Sequence, residues 1–432
     1  MDLKNDIENA LHRDPRFSLR YVDKTFWILF AFLIATALIA LFSASSTKVY
    51  QSASNIGPVA HQALFIFIGV LFAAVIQFLP TWVIRLFGYG GWVVFLLMLY
   101  VMLLPHNPFV VTINGAGRWF KILGIAFQPS EFAKIGLMIV VADQLARAED
   151  DESMKKAFFR TLFITLVTIF PILVGNLSTA ILMAMVVFLV WIIAGVKFKY
   201  LALVFVCATA FFVLGYLFVD YTYVKPKRTP PALFARATLW VKRINDTVDE
   251  RKQKRADEAS GTVTFKITDD NYQRSIAKVA VARGGVSPFG VLPGNSRERD
   301  YLPLAYADYI FAIIVEETGF MGALGLIFLY MAILFRACFV SSRFGNMHAM
   351  LLTMGLALML TCQALISMFV AVGIGPVTGQ PLPMITMGGT SSLATALYFG
   401  IMMAVSREQN QISGEQEDVR RESMANMPDI EA

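Results

Sequence analysis

The sequence predicts an all-α integral membrane protein of about ten transmembrane helices, with a long extracytoplasmic loop between the seventh and the eighth. Three observations carry this prediction. Of the 432 residues, 57% are hydrophobic and only 16% are charged, against about 45–50% and about 25% in soluble domains. The mean hydropathy is +0.61. Several apolar runs also reach the roughly 20 residues that cross about 30 Å of hydrocarbon, and none has the alternating pattern of an outer-membrane barrel.

In chain order, a charged start (1–25, with Lys4, Arg13, Arg16, Arg20 and Lys24) reads as a cytoplasmic segment. The first apolar run, 26–44, has no small-residue cleavage site after it and reads as a retained span. Further runs lie near 61–80, 83–104, 131–146, 159–175, 177–196, 200–220, 309–335, 348–372 and 389–405. An even number of spans puts both termini on one side. With that side cytoplasmic, the inner connections hold Arg85, Arg147, Lys155, Lys156, Arg160, Lys197, Lys199, Arg336, Arg343 and Arg407, as the positive-inside rule requires.

Residues 26–405 thus form one membrane domain, and the polar tail 406–432 reads as cytoplasmic and disordered. The outer segment 221–307 carries 16 Lys and Arg, but loops longer than about 60 residues translocate largely regardless of charge. Within it, 246–270 is dense in both charge signs and reads as a solvated, mobile insert. Residues 271–283 space Ile276, Val279, Ala280 and Arg283 along one side of a helix, at the membrane surface, that Gly284-Gly285 ends. The net charge of +6 comes from residues flanking spans, so it points to anionic lipid and excludes nucleic acid as a partner. Cys207, Cys338 and Cys362 fall in apolar runs, and the four histidines lack ligand spacing, so no disulfide framework or metal site is implied.

Asp308 is the first suspect for chemistry, because it stands where a long polar segment enters a span, and a carboxylate there is costly. Glu316 lies about 80° around the same helix from Asp308, while Glu317 points to the opposite side. The two glutamates therefore read as partners of buried groups rather than as substrate contacts.

In 114–121, Arg118 and Lys121 either anchor the chain at the headgroup level with Trp119 or hold the phosphates of an anionic lipid. Glu131 suits the N-terminal end of the next span, and Lys134 follows at i+3. A pair of this kind inside a span suggests a hydrated cavity at its border. The glycine-rich stretch 284–296 lacks the Gly-Lys-Ser/Thr ending of a nucleotide loop and reads as a tight loop near Asp308. The broken stretch 379–392, with Pro383, Gly388 and Gly389, survives at membrane level only where protein packs it or it lines a cavity.

Together these segments resemble the SEDS family (shape, elongation, division and sporulation), the peptidoglycan polymerases represented by FtsW and RodA. The resemblance rests on Gly117-Arg118-Trp119, Gln128-Pro129-Ser130-Glu131 with Lys134, Tyr272-Gln273, Gly284-Gly285 through Gly294-Asn295-Ser296, Ala307-Asp308-Tyr309, Glu316-Glu317-Thr318-Gly319 and Pro381-Leu382-Pro383 with Gly388-Gly389. The end of the first span, Phe42-Ser43-Ala44-Ser45-Ser46, is more similar to the division-type FtsW members than to RodA. Where the family usually has Pro-Asp, this chain has Gly175-Asn176, so no carboxylate acts there.

The resemblance implies glycosyl transfer on lipid II at the outer face of the bacterial inner membrane, with Asp308 as general base. It further implies that Arg118, Trp119, Lys121, Lys134, Gln273, Arg274, Lys278, Arg283 and Ser296 contact substrate, while Glu131, Glu316, Glu317, Pro383, Gly388 and Gly389 shape the cavity. A divalent cation, Mg or Mn, would suit the leaving pyrophosphate. The implied partners are a class B penicillin-binding protein, which is a monofunctional transpeptidase, and other divisome membrane proteins. A lipid II flippase and a non-catalytic division scaffold are the competing readings, and the crowding of polar groups in the outer half argues against the first.

Overall fold

The computed structural model describes residues 19–51, 57–104, 107–113, 116–122, 125–260, 272–302, 309–374 and 379–425. Each of the ten apolar runs coincides with a helix: α1 (Lys24–Gln51), α2 (Gly57–Ile76), α3 (Thr81–Val101), α4 (Pro129–Ala146), α5 (Asp151–Gly175), α6 (Leu177–Ile193), α7 (Phe198–Val219), α11 (Ile310–Ser341), α12 (Met347–Ala371) and α13 (Gly389–Ala425). Eight of them are long and apolar enough to cross a membrane. The other two depart for visible reasons: α6 has only 17 residues, and α4 carries Glu131, Lys134 and Asp143. The chain is a multi-pass membrane protein.

Between the seventh and eighth spans lie α8 (Ala232–Ser260), α9 (Tyr272–Gly285) and the short α10 (Glu298–Tyr301). The centre of the bundle is α12 and α13, whose most apolar stretches are 67% and 83% buried, whereas that of α7 is 6% buried and stands at the edge. Helices α2 and α13 approach closely because the contact is made of small residues. A side chain on Gly69 would meet Ala396, and one on Gly400 would meet the backbone of Ala73. In lipid such seams hold helices together by van der Waals packing.

Two expectations need correction, and the helical bundle carries one addition: 110–127 forms a small antiparallel sheet in the order β1 (Val110–Ile113), β2 (Ala116–Ile122), β3 (Ile125–Phe127). Its β-branched and aromatic residues suit strands. Phe127 packs edge-on against Phe132 of α4 at 6.4 Å, which ties the sheet to the bundle.

The insert expected to be loose continues α8 to Ser260. Residues 246–260 contain no Gly or Pro and are rich in Arg, Lys, Gln, Glu and Ala, all good helix formers. Lys252 and Asp249 add an i,i+3 pair at 3.5 Å. The remainder of that insert, 261–270, lies outside the described residues.

The tail expected to be disordered continues α13 through Ala425, with Ser406, Arg407 and Gln409 buried. Arg407 Nε donates to the Gln77 carbonyl at 2.8 Å, Glu408 accepts from the Thr81 amide at 2.6 Å, and Ser406 Oγ donates to Asp23 at 3.1 Å. Asp23 also accepts from the Thr25 amide at the start of α1 (3.0 Å) and pairs with Arg336 at 2.8 Å. One end of the bundle is therefore clamped by polar groups that the tail supplies.

Candidate functional site

At the other end, the residues from 284 to 299 are seated in an interruption of α11. Gly319 takes φ 68°, ψ −163° inside that helix, a conformation for which glycine is the natural residue. The gap it opens receives the loop: the Val291 amide donates to the Glu316 carbonyl at 2.9 Å, and the Met321 amide to the Pro288 carbonyl at 3.1 Å. Gly284 lies so close to the backbone of Val315 and Glu316 that no Cβ fits there.

Glu316 and Glu317, both buried, complete the anchoring. Glu316 accepts from the Arg297 amide (3.1 Å) and from Ser296 Oγ, and pairs with Arg283 at 3.3 Å. Glu317 accepts from the Gly294 amide (3.2 Å) and from Ser43 Oγ on α1, with Arg299 Nη1 at 3.7 Å. The two carboxylates point apart, as helix geometry predicts, yet both hold the segment 294–299. Ser296 and Arg283, expected at substrate, are committed here to Glu316. The carboxyl of Glu298 on α10 is held above its ordinary range, chiefly by burial and then by the charge of Glu316.

Asp308 lies outside the described residues, as do Pro303 and the rest of 303–308. Its sequence neighbour Tyr309 is the N-cap of α11 and is buried, as is Leu302 on the other side.

A second group forms at the C-terminal end of α12. Arg274, buried on α9, donates from Nη1 to Thr247 Oγ1 of α8 at 3.3 Å and from Nη2 to the Gly373 carbonyl at 3.5 Å. The carbon stem of Lys278, one turn on, lies against Gly373. Two cations thus face the negative end of a helix dipole. Gln273 is half-buried beside them in sequence. The buried face of α9 runs through Arg274, Ala277, Ala280 and Gly284 against α11, and Val279 is exposed. Of the stripe expected on Ile276, Val279, Ala280 and Arg283, Ala280 is buried and Ile276 packs against the core, while Val279 faces out.

The third group is internal. Lys134 Nζ, fully buried, is 2.8 Å from Glu131 and donates to Gln363 Oε1 at 2.7 Å, and Gln363 Nε2 donates to the Pro381 carbonyl at 3.1 Å. Tyr330 Oη donates to the Pro383 carbonyl at 2.6 Å, and the Gly388 amide to Gln62 Oε1 at 3.2 Å. The turns at 379–389 are satisfied by protein, which is what irregular backbone at this level requires. Glu131 and Lys134 are the expected i,i+3 pair, joined through Gln363 to the Pro383 stretch. Gly389 begins α13 against the Phe65 ring.

The fourth group lies on the sheet. The β1–β2 register slips at Arg118, with Val111 opposite Trp119 and Thr112 opposite Gly117, and Arg118 and Lys121 meet different surroundings. Arg118 Nε donates to the Gly175 carbonyl at the end of α5 (3.0 Å), Lys121 is exposed and Trp119 is half-buried. Arg118 also lines a cavity of about 460 Å³ between α5, α6, α7 and α8, together with Phe170, Phe211, Phe218, Trp240 and Arg243. Its walls are apolar, with two guanidinium-bearing residues among them. The reading of the sequence missed Arg243 and the α8 wall, although Phe234, Ala237, Val241 and Ile244 recur at helical spacing. Among the described residues no cluster of three or more His, Cys, Asp or Glu could hold a metal ion.

A family profile described as "Cell cycle protein" (FtsW, RodA, SpoVE) matches residues 23–411. The chain is 26% identical over 411 residues to the peptidoglycan glycosyltransferase MrdB of Escherichia coli (strain K12), covering 95% of this chain and 98% of that protein. It is 27% identical over 414 residues to the probable peptidoglycan glycosyltransferase FtsW of Thiomicrospira cyclica, covering 92% and 95%. Among solved structures it is similar to a chain of a peptidoglycan synthase complex described for its coordination of polymerization and crosslinking (25% identity, TM-score 0.68, covering 91% and 99%). The fold is also that of the rod shape determining protein RodA of Thermus thermophilus (22% identity, TM-score 0.60, covering 90% and 98%). With that profile spanning nearly the whole membrane domain, the chain belongs to the SEDS family, the FtsW/RodA/SpoVE cell cycle proteins.

Proposed function

We propose that this protein is a peptidoglycan glycosyltransferase that polymerises lipid II into glycan strands at the outer face of the cytoplasmic membrane, with both termini cytoplasmic. Its relatives named as peptidoglycan glycosyltransferases span nearly the full chain. The structural observation that carries the reading is the cavity of about 460 Å³ lined by Phe170, Phe211, Phe218 and Trp240 with Arg118 and Arg243. A polyprenyl chain needs apolar walls, and the pyrophosphate it carries needs cations.

In the reaction, the 4-hydroxyl of the acceptor GlcNAc attacks the anomeric carbon of the growing chain. The new C–O bond forms as the bond from that carbon to the polyprenyl pyrophosphate breaks, and the pyrophosphate takes the electron pair. Asp308 takes the hydroxyl proton, a step worth typically 10²–10⁴-fold. Arg118 and Arg243 meet the charge that grows on the leaving group. Glu316 and Glu317 hold the segment 294–299, which precedes Asp308 in the chain. The partner is a class B penicillin-binding protein, in keeping with the similar chain from a complex that joins polymerization and crosslinking. A division role follows from the FtsW-like end of the first span. A divalent cation at the pyrophosphate remains part of this reading, although the mechanism is built on the cations of the chain itself.

The test is polymer formation from labelled lipid II by the protein purified with its cognate transpeptidase. Wild type gives long glycan, and Asp308→Asn gives none while retaining its melting temperature. Equal polymer from both would remove Asp308 as the base. No polymer from either would favour a transporter or a scaffold.

A further inference from the structure

The first three turns of α5 carry a face that none of the groups above uses. A capping box fixes the start of the helix: Asp150 accepts from the Ser153 amide at 2.8 Å, and Ser153 Oγ accepts from the Asp150 amide at 3.0 Å. From there Glu152, Lys155, Lys156, Phe159, Arg160 and Phe163 form one stripe along a concavity of about 500 Å³. This end of α5 follows Arg147 directly in the chain, at the clamped end of the bundle.

Two helices build the patch. The Tyr200 ring of α7 lies 5.9 Å from that of Phe159, with Lys199 Nζ 4.9 Å above Tyr200. Two of the surrounding cations are neutralised, Lys156 by Glu152 and Lys197 by Asp151, each at 2.8 Å. Lys155 and Arg160 are exposed and have no carboxylate partner among the described residues. The stripe then becomes apolar, with Phe163 and Leu166 exposed. From Lys155 to Leu166 the helix rises about 17 Å, close to the half-thickness of about 15 Å of a bilayer core. Uncommitted cations therefore span about 7.5 Å of the helix start, with the acyl-compatible side chains Phe163 and Leu166 beyond them.

We infer that this face is a binding site for an anionic phospholipid, with Lys155 and Arg160 on the phosphodiester, Lys199 beside it, and Phe159, Phe163 and Leu166 along an acyl chain. The excess of unpaired positive charge selects against a zwitterionic headgroup. The inference is independent of the glycosyltransferase reading and uses no residue of its machinery.

Native mass spectrometry of the intact protein, offered phosphatidylglycerol, cardiolipin and phosphatidylcholine in separate titrations, tests it. Each Lys or Arg near an anionic lipid surface strengthens attraction by about fivefold, so Lys155→Gln/Arg160→Gln should weaken retention of anionic lipid by roughly 25-fold. Retention of phosphatidylcholine should not change. The better binder of phosphatidylglycerol and cardiolipin tells whether one phosphate or two are held. The charge-matched pair Lys252→Gln/Arg255→Gln, on α8, should leave retention intact. An equal loss with that control, or no preference of the wild type for anionic over neutral lipid, would overturn the assignment. So would loss of a partner protein with lipid retention unchanged, which would give the face to an acidic helix instead. All four side chains are exposed, so these variants should fold normally, and their melting curves check this.

Discussion

Glu316 and Glu317 are adjacent on α11 and face apart, yet they grip the two ends of one short segment. Glu317 holds the Gly294 amide at 3.2 Å, and Glu316 holds the Arg297 amide at 3.1 Å. Removing one member of a buried ion pair typically costs about 3–5 kcal/mol, because the other is left uncompensated. Arg283 is one-third exposed, so Glu316→Ala should fall at the low end of that range. Glu317→Ala additionally frees Ser43 of α1. Both should lower the melting temperature in detergent and reduce glycan polymer, and Glu317→Gln, which keeps the shape, should lose less stability than Glu317→Ala.

The pair Glu131–Lys134 permits a cleaner separation of stability from activity. Lys134→Met strands a buried carboxylate and should destabilise by about 3–5 kcal/mol, whereas Glu131→Leu/Lys134→Met removes both charges and should recover most of that loss. Chemical unfolding measures the recovery. Polymer formation should stay depressed in the double variant, since the link from Gln363 to the Pro381 carbonyl loses its cation.

Arg118 lines the cavity while Lys121, on the same strand, is exposed, so their substitutions should differ. Arg118→Ala removes a cavity-lining guanidinium as well as the contact to the Gly175 carbonyl, and should raise the KM for lipid II about tenfold or more, in line with one charged hydrogen bond of about 1.5–3 kcal/mol. Lys121→Ala, at an exposed site, should change it less than twofold. Equal effects in a steady-state polymerisation assay would argue against the cavity as the substrate site.

The pH dependence of the segment 294–299 rests partly on Glu298. Its folded pKa is raised by burial and by Glu316, so the protonated form favours the fold. That contribution is fully present below the unfolded pKa, ordinarily about 4.3, and is lost as pH rises through the raised folded value. Glu298→Gln should therefore stabilise the protein at neutral pH and flatten its melting-temperature profile in the weakly acidic range. A steeper profile would contradict the assignment.

Small residues set the α2–α13 seam. Gly400→Leu has no space, because even a Cβ meets the backbone of Ala73. Overpacking of this kind typically costs about 1–3 kcal/mol, to be read in the unfolding midpoint.

Much of the fold was legible because a bilayer asks one simple question of each segment: whether twenty or so residues are apolar. The local pair Glu131–Lys134 and the burial of Glu316 and Glu317 followed from helix geometry alone. What failed to show was everything decided by partners far away in the chain. Arg407 and Glu408 look like solvated tail residues until Gln77 and Thr81 come to meet them. Likewise nothing near Ser296 and Arg283 in the chain shows that both meet Glu316. The sheet at 110–127 was missed because its strands are short, although its β-branched run was present. The cavity walls come from four separate helices, and no single stretch of sequence announces such a volume.

Helix α13 runs from Gly389 to Ala425 with no proline and no left-handed residue, about 55 Å at 1.5 Å per residue. One end follows the internal turns joined to Lys134, and the rest passes the clamp on Asp23, Gln77 and Thr81. A helix of this kind has no joint, so a twist applied at either end is felt at the other. The clamp and the turns around Pro383 behave as two fittings on a single shaft, and an adjustment at one is carried along α13 to the other.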